Sequence, residues 1–355
     1  MIDSEVLLEN QNKNFVFSPL SAQIILALTQ AGARGQTAQE FSTAVNLPED
    51  VNKTEEAIRQ LLPTLKSTHA DISLSAANKM YLGKGIVIKK AFETLAVSSF
   101  QAAAENLDFA KSTEATNIIN HWVEEKTNEK IKDLIPLGAL DASTRLVLVN
   151  ALYFKGKWNT PFETYLTRKE PFHVSKTQTK QVDMMHVEDF FNYYECTKRN
   201  VKFLELPYLD DRLTMTIVLP NEIDGLASLE NNIESLLTPP PYNKERVAVS
   251  MPKWLTETSV DLKGILERLG LRKAFSDSAD FKNLSDESLQ IGQVLQKSFI
   301  NVTESGTEAA AATVVSLVFL SAPLVEPDPI IFKADRPYLY FIRHNDVILF
   351  VGKII

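Results

Sequence analysis

The sequence predicts an α+β fold in one large domain spanning residues 1–355, and three observations carry that expectation. Helix signals fall mainly in the first half and strand signals mainly in the second, without the regular strand–helix alternation of a doubly wound parallel sheet. No internal repeat or low-complexity linker divides the chain. The run Pro239-Pro240-Pro241 is the one candidate boundary, but a strand pattern resumes at Val247, which marks a surface connection within a domain.

The helices are read from caps and periodicity. Ser18-Pro19 pairs an N-cap residue with a proline at the first helical position, and Ile24, Ile25 and Leu28 then recur on one face before Gly32 stops the helix. A second helix is expected from about Ser112 to Lys130, with Ile118, Ile119, Trp122 and Val123 as its apolar face. A third is expected from about Thr258 to Leu269, built on Leu262, Ile265, Leu266 and Leu269. Strands are expected at Leu146–Phe154, Val201–Leu206, Leu213–Leu219, Val247–Met251, Tyr338–Ile342 and Val347–Val351, the last two as a hairpin around His344-Asn345-Asp346.

Composition removes several functional classes. A content of 45% hydrophobic and 23% charged residues is ordinary for a globular protein. Apolar stretches such as Val314 to Val325 are too short or interrupted to span a bilayer, so no membrane partner is expected. A net charge of -8 argues against a broad nucleic-acid surface, and the basic runs Lys84–Lys90 and Lys198–Lys202 read as solvated faces. The single cysteine, Cys196, closes no internal disulfide and has no activating neighbours.

Enzyme motifs are missing. Gly83-Lys84-Gly85 lacks the ending of a phosphate-binding loop, the five histidines are scattered singly, and no Gly-x-Ser-x-Gly elbow occurs. The expectation is a protein without catalytic residues, metal or cofactor. Met1-Ile2-Asp3-Ser4-Glu5 has neither the basic region nor the apolar core of a secretory signal, which fits a cytosolic protein or a trimmed mature form.

One segment has conflicting local preferences. Glu304-Ser305-Gly306-Thr307-Glu308-Ala309-Ala310-Ala311-Ala312-Thr313 is alanine-rich and favours helix, whereas Val314-Val315-Ser316-Leu317-Val318-Phe319-Leu320 favours strand. A short helix leading into a core strand is one reading. In the other the whole segment is extended, and Thr307, Ala309, Ala311, Thr313, Val315 and Leu317 share one uncharged, mostly small face. Gly306 would then be a backbone pivot, and the small side chains after it would lower the steric cost of entering between two existing strands.

This segment resembles the hinge and reactive loop of the serpins, and the resemblance extends over nearly the whole chain. Asn14-Phe15-Val16-Phe17-Ser18-Pro19-Leu20-Ser21 is similar to the family's opening motif, and Asn150-Ala151-Leu152-Tyr153-Phe154-Lys155-Gly156-Lys157-Trp158 to its central-sheet motif. Phe332-Lys333-Ala334-Asp335-Arg336-Pro337 and Phe350-Val351-Gly352-Lys353 are similar to its closing strands. The resemblance implies the serpin fold, with mixed β-sheets, surrounding helices and an exposed reactive-centre loop over residues 304–325.

It also implies roles. Glu304, Gly306, Thr307, Ala309, Ala310, Ala311, Ala312 and Thr313 would form the hinge, and family spacing from Glu304 puts the cleaved bond at Leu320-Ser321. Phe319-Leu320 and Leu324-Val325 are alternatives, because the stretch from Ser321 to Phe332 is longer than is common. Ser18, Ser21 and Asn150 would form the shutter beneath the central sheet, with Gln296 where the family commonly has a histidine. Trp158, Lys253 and Glu304 would lie at the top, Lys253 and Glu304 as an ion pair; Ser305 stands where a charged residue is usual.

The function implied is a suicide-substrate inhibitor of chymotrypsin-like or elastase-like serine proteases, monomeric, forming a covalent complex with its target. The alternatives are an inhibitor of cysteine proteases and a non-inhibitory carrier or chaperone. Family habit implies secretion, with a cytoplasmic location as the alternative. Asn52-Lys53-Thr54, Asn283-Leu284-Ser285 and Asn301-Val302-Thr303 match the glycosylation pattern, although Asn301 is expected within a central strand.

Overall fold

The computed structural model describes residues 2–10, 13–66, 69–307 and 327–355. The first part of the chain forms α1 (Ile2–Glu9), β1 (Phe15–Phe17), α2 (Pro19–Gly32), α3 (Gly35–Val45) and α4 (Val51–Thr64). β2 (Ile72–Gly83), α5 (Lys90–Phe100), β3 (Ala103–Leu107), α6 (Ser112–Lys126) and β4 (Leu146–Lys157) follow. Strands then dominate, with β5 (Arg168–His173), β6 (Thr179–Cys196), β7 (Val201–Pro207) and β8 (Leu213–Pro220). After α7 (Leu226–Glu230) come β9 (Asn243–Pro252), β10 (Trp254–Asp261), α8 (Lys263–Arg268) and β11 (Ile291–Thr303). The last strands are β12 (Gly306–Thr307), β13 (Ile330–Lys333), β14 (Tyr338–His344) and β15 (Val347–Ile354).

These strands make two mixed sheets. Six form the central sheet in the order β10-β11-β12-β4-β2-β3, and nine form the second, with β1-β15-β14-β8-β7-β6-β9-β13 in line and β5 paired to β6. β4 lacks the alternation of a half-solvated strand because both its faces are covered. Leu152 and Phe154 pack into the core shared with the nine-stranded sheet, whereas Val147, Val149, Ala151 and Tyr153 pack with Ile119 and Val123 of α6. Helix α2 is buried along most of its length and packs against β4 and β15. Its start is fixed as its sequence predicts, with Pro19 in the first turn and the Ser18 hydroxyl accepting from the Ser21 N–H at 3.3 Å.

Two helix expectations need correction. Thr258–Asp261 is strand, not helix: Trp254-Leu255-Thr256-Glu257-Thr258-Ser259-Val260-Asp261 alternates buried and exposed residues and pairs throughout with β11. The helix begins only at Lys263, and the apolar spacing of Leu262, Ile265 and Leu266 does not reach back across the period-two segment before it. Helix α6 stops at Lys126 rather than Lys130, because Asn128 and Glu129 take positive φ of 52° and 60°. The hairpin at 344–346 forms as expected, with Asn345 in the left-handed region at φ 51°.

A buried ion pair ties β15 of the second sheet to α7. Lys353 on β15 is inaccessible to solvent, pairs with Glu230 of α7, and donates to the Leu7 carbonyl at 3.2 Å. Removing one partner leaves an uncompensated buried charge, so Glu230→Ala is expected to cost about 3–5 kcal/mol. Chemical denaturation would measure it, and adding Lys353→Met to Glu230→Ala should recover most of the loss.

Candidate functional site

β4 and β11 run parallel and pair directly from Leu146 and Ile291 up to Tyr153 and Phe299. Above that point they part, and β12 lies between their upper ends. Thr307 faces Val302 of β11 and Gly156 of β4, and Gly306 faces Thr303 and Lys157, with both pairings antiparallel. The chain reaches this slot only because residue 306 is glycine: its φ is +145°, and a Cβ there would sit 2.2 Å from the Gly156 carbonyl oxygen.

Trp158 and Glu304 hold the turn that delivers β12. The Trp158 indole N–H donates to the Thr303 carbonyl at 3.0 Å and its backbone N–H to the Ser305 carbonyl at 3.1 Å. The Phe162 N–H donates to the Glu304 carbonyl at 2.8 Å. The Glu304 carboxylate accepts from Lys253 Nζ at 2.9 Å and from Thr167 Oγ1 at 3.0 Å. The Lys253 backbone is itself fixed, donating to the Asp183 carbonyl at 2.8 Å. Partial burial works to raise the Glu304 pKa, but the hydrogen bonds from Lys253, the backbone and Thr167, with the Lys253 charge, outweigh it and hold the carboxyl below its ordinary value. The Lys253 side chain is 43% exposed, so water screens the pair and its role is positional more than energetic.

Tyr208, which the sequence reading missed, completes the slot. It lies just after β7, fully buried, with its ring stacked on Trp158 at 4.5 Å and edge-on to Phe154 at 5.0 Å. Its hydroxyl is 2.8 Å from Thr307 Oγ1. Gly156 makes room for both rings, since a Cβ there would lie 2.7 Å from Phe154 Cζ and 2.9 Å from Tyr208 Cδ1.

Lower in the sheet the other expected residues form one buried polar cluster. Asn78, Asn150 and Gln296 stand side by side on β2, β4 and β11. The Asn150 amide donates to Ser21 Oγ and Asn78 Oδ1, and Ser21 Oγ lies 3.4 Å from Asn78 Oδ1. Gln296 clasps Ser18 at both backbone groups: its Oε1 accepts from the Ser18 N–H at 2.8 Å and its Nε2 donates to the Ser18 carbonyl at 3.0 Å. Ser18 Oγ in turn donates to the Leu349 carbonyl of β15 at 2.7 Å. Asn78 was not singled out from the sequence. Asn150 Oδ1 is buried without a hydrogen-bond partner.

Ala309, Ala310, Ala311, Ala312, Thr313, Leu320 and Ser321 lie outside the described residues. Of the three glycosylation-like patterns, Asn301 lies in β11 as expected. Asn283 is engaged through its amide with the Ala31 and Ala33 carbonyls, and Asn52 is exposed at the start of α4.

A model of the serpin (serine protease inhibitor) family matches residues 3–355. The chain belongs to the serpin family. Its family is described as one of serine protease inhibitors rather than of enzymes. It is 35% identical over 357 residues to antichymotrypsin-2 of Bombyx mori, covering 98% of this chain and 93% of that one. Serpin48, a highly specific serpin of the insect Tenebrio molitor, superposes with a TM-score of 0.91 at 40% identity, covering 99% of this chain and 94% of that one. Uncleaved ovalbumin superposes with a TM-score of 0.87 at 25% identity over 99% of this chain and 96% of its own. The serpin fold and the membership implied by the sequence motifs are both established by these matches.

Two predictions follow from the Glu304 latch. A carboxyl held below its ordinary pKa contributes stability above that ordinary value and loses it as pH falls through the lowered one. The latch should therefore hold at neutral pH and loosen only in acid below the ordinary glutamate range. Trp158, bonded on both sides of Glu304, should report this as a fluorescence change that Glu304→Gln lacks. Glu304→Lys sets two ammonium groups against each other and frees the parted ends of β4 and β11 for strands of another chain. After mild heating, native gels should show ladders for this variant, and persistence of monomer would count against the assignment.

Proposed function

We propose that this serpin inhibits serine proteases of chymotrypsin-like or elastase-like specificity by offering residues 304–325 as a substrate and inserting the cleaved segment into the central sheet. The observation that carries the reading is β12, two residues of the segment's start already lying between β4 and β11. Counted down the same antiparallel register, Ala309 would come opposite Phe154 and Ile300, and Thr313 opposite Asn150 and Gln296. The unpartnered acceptor Asn150 Oδ1 would then meet a hydroxyl donor.

The chemistry belongs to the target. Its serine attacks the Leu320 carbonyl, releases the amine of Ser321, and leaves an ester between the serine and Leu320. Insertion would add strand hydrogen bonds on both sides of the segment and draw the tethered protease away before water cleaves that ester. The uncleaved inhibitor is then kept active by a barrier rather than by being the most stable state. Leu317 to Val325 contains neither Arg nor Lys, which favours proteases with apolar pockets over trypsin-like ones.

Incubation with chymotrypsin or elastase should give a complex stable to denaturing electrophoresis and a released fragment whose mass begins at Ser321. A fragment beginning at Leu320 or Val325 would move the bond, and cleavage without complex would overturn the inhibitory reading. Thr313→Arg would carry a charge to the buried Asn150–Gln296 position, so this variant should be cleaved at an undiminished rate while forming little or no complex.

A further inference from the structure

The Tyr208–Thr307 contact lies at the first point where the segment enters the central sheet, and it is the only side-chain hydrogen bond among the described residues that Thr307 makes. Both partners are fully buried, and burial pushes the Tyr208 phenol well above its usual pKa, so the group is a neutral donor and acceptor at any physiological pH. Tyr208 has little freedom. Its backbone N–H donates to the Leu213 carbonyl at 3.0 Å, its neighbour Leu209 donates to the Lys157 carbonyl at 2.9 Å, and its ring is stacked on Trp158. The hydroxyl is thus a fixed point in the slot.

A strand of small residues entering between two others needs such a point. Backbone pairing alone accepts more than one alignment, and a slip of one residue turns every side chain to the opposite face. Here a slip of one residue would bring Glu308 to the apolar pocket of Phe154, Trp158 and Tyr208, and a slip of two would bring Ala309, which has no hydroxyl. A slip in either direction would also move Gly306 away from the Gly156 carbonyl, where a side chain has no room.

We propose that Tyr208 is a positioning residue for loop insertion: its hydroxyl seats Thr307 and thereby sets the face and register in which the rest of the segment enters between β4 and β11. The seat is a property of the uncleaved protein, and its consequence for trapping rests on the inhibitory reading above. The two parts are separable by experiment.

Hydrogen exchange in the uncleaved protein, read on a fragment covering residues 303–307, tests the seat. Tyr208→Phe and Thr307→Val each remove one hydroxyl and keep the shape; each should speed exchange there by about three- to tenfold, the span of one ordinary hydrogen bond. Thr307→Ser keeps the hydroxyl and should exchange as the wild type does, and the double variant should be no faster than either single one, as expected of a shared interaction. Exchange within twofold of wild type in both single variants, or Thr307→Ser as fast as Thr307→Val, would overturn the seat. The second measurement is the number of inhibitor molecules consumed per protease trapped, which should rise in Tyr208→Phe and Thr307→Val and not in Thr307→Ser. An unchanged number beside faster exchange would overturn the register role. Absence of any complex with the wild type would instead reject the inhibitory function and leave the exchange result to decide the seat.

Discussion

The constraint on which this structure turns is that β4 and β11 are partners along most of their length and strangers at their upper ends. Separating paired strands in the middle of a sheet breaks backbone hydrogen bonds in a dry interior, which is costly for every residue parted. Here the separation has already been made where it is cheapest, at the sheet's end, and β12 satisfies the upper strands on both sides. The insertion proposed above would therefore exchange β4–β11 bonds for bonds to a third strand instead of opening an empty gap. Gly306, Gly156 and the Trp158–Tyr208 stack make that exchange sterically possible at its starting point.

Resistance to such an entry would come from lower down. Tyr153 and Phe299 form the last direct pair, their rings 6.3 Å apart on the face covered by α6, and just beneath them lies the polar cluster of Asn78, Asn150 and Gln296. A buried polar network is strong only while its members are paired. Gln296 bonds both backbone groups of Ser18, so β11 is fastened to the start of α2 and, through Ser18 Oγ, to β15. Parting β4 from β11 at this level must carry Gln296 and Asn150 away from each other while each keeps its hold on α2. The amide of Gln296 does this with one donor and one acceptor and no change of charge, so this clasp does not depend on pH, unlike the Glu304 latch above it.

How much of this was legible in the sequence depends on how local each signal is. Ser18-Pro19 and the apolar run of β4 carry their structure within a few residues, and both are where the pattern puts them. Thr258–Asp261 carries a misleading signal, because four apolar residues at helical spacing just after it outweigh a short alternation whose partner strand lies some forty residues away, at Leu295–Ser298. The Lys253–Glu304 pair was implied by resemblance, and the 2.9 Å contact gives it a geometry. Asn78 and Tyr208 had no local signature. An asparagine within a strand pattern and a tyrosine at a strand's end are ordinary, and only the crossing of distant elements gives each its partner.

That difference bears on where serpins of similar fold can diverge. The residues that resemble the family's motifs are those whose local backbone would fail without them: the capped start of α2, the doubly covered β4 and the glycine that admits β12. The hydroxyl of Tyr208 and the amide of Gln296 do not shape their own strands. They act on neighbours far along the chain, Thr307 and Ser18, where the proposed insertion would make β12 and β11 either hold or let go. A substitution there leaves the fold's local logic intact and alters the balance between holding and yielding. If the sheet opens once and in one register, as proposed, tuning of that opening falls most naturally on such positions.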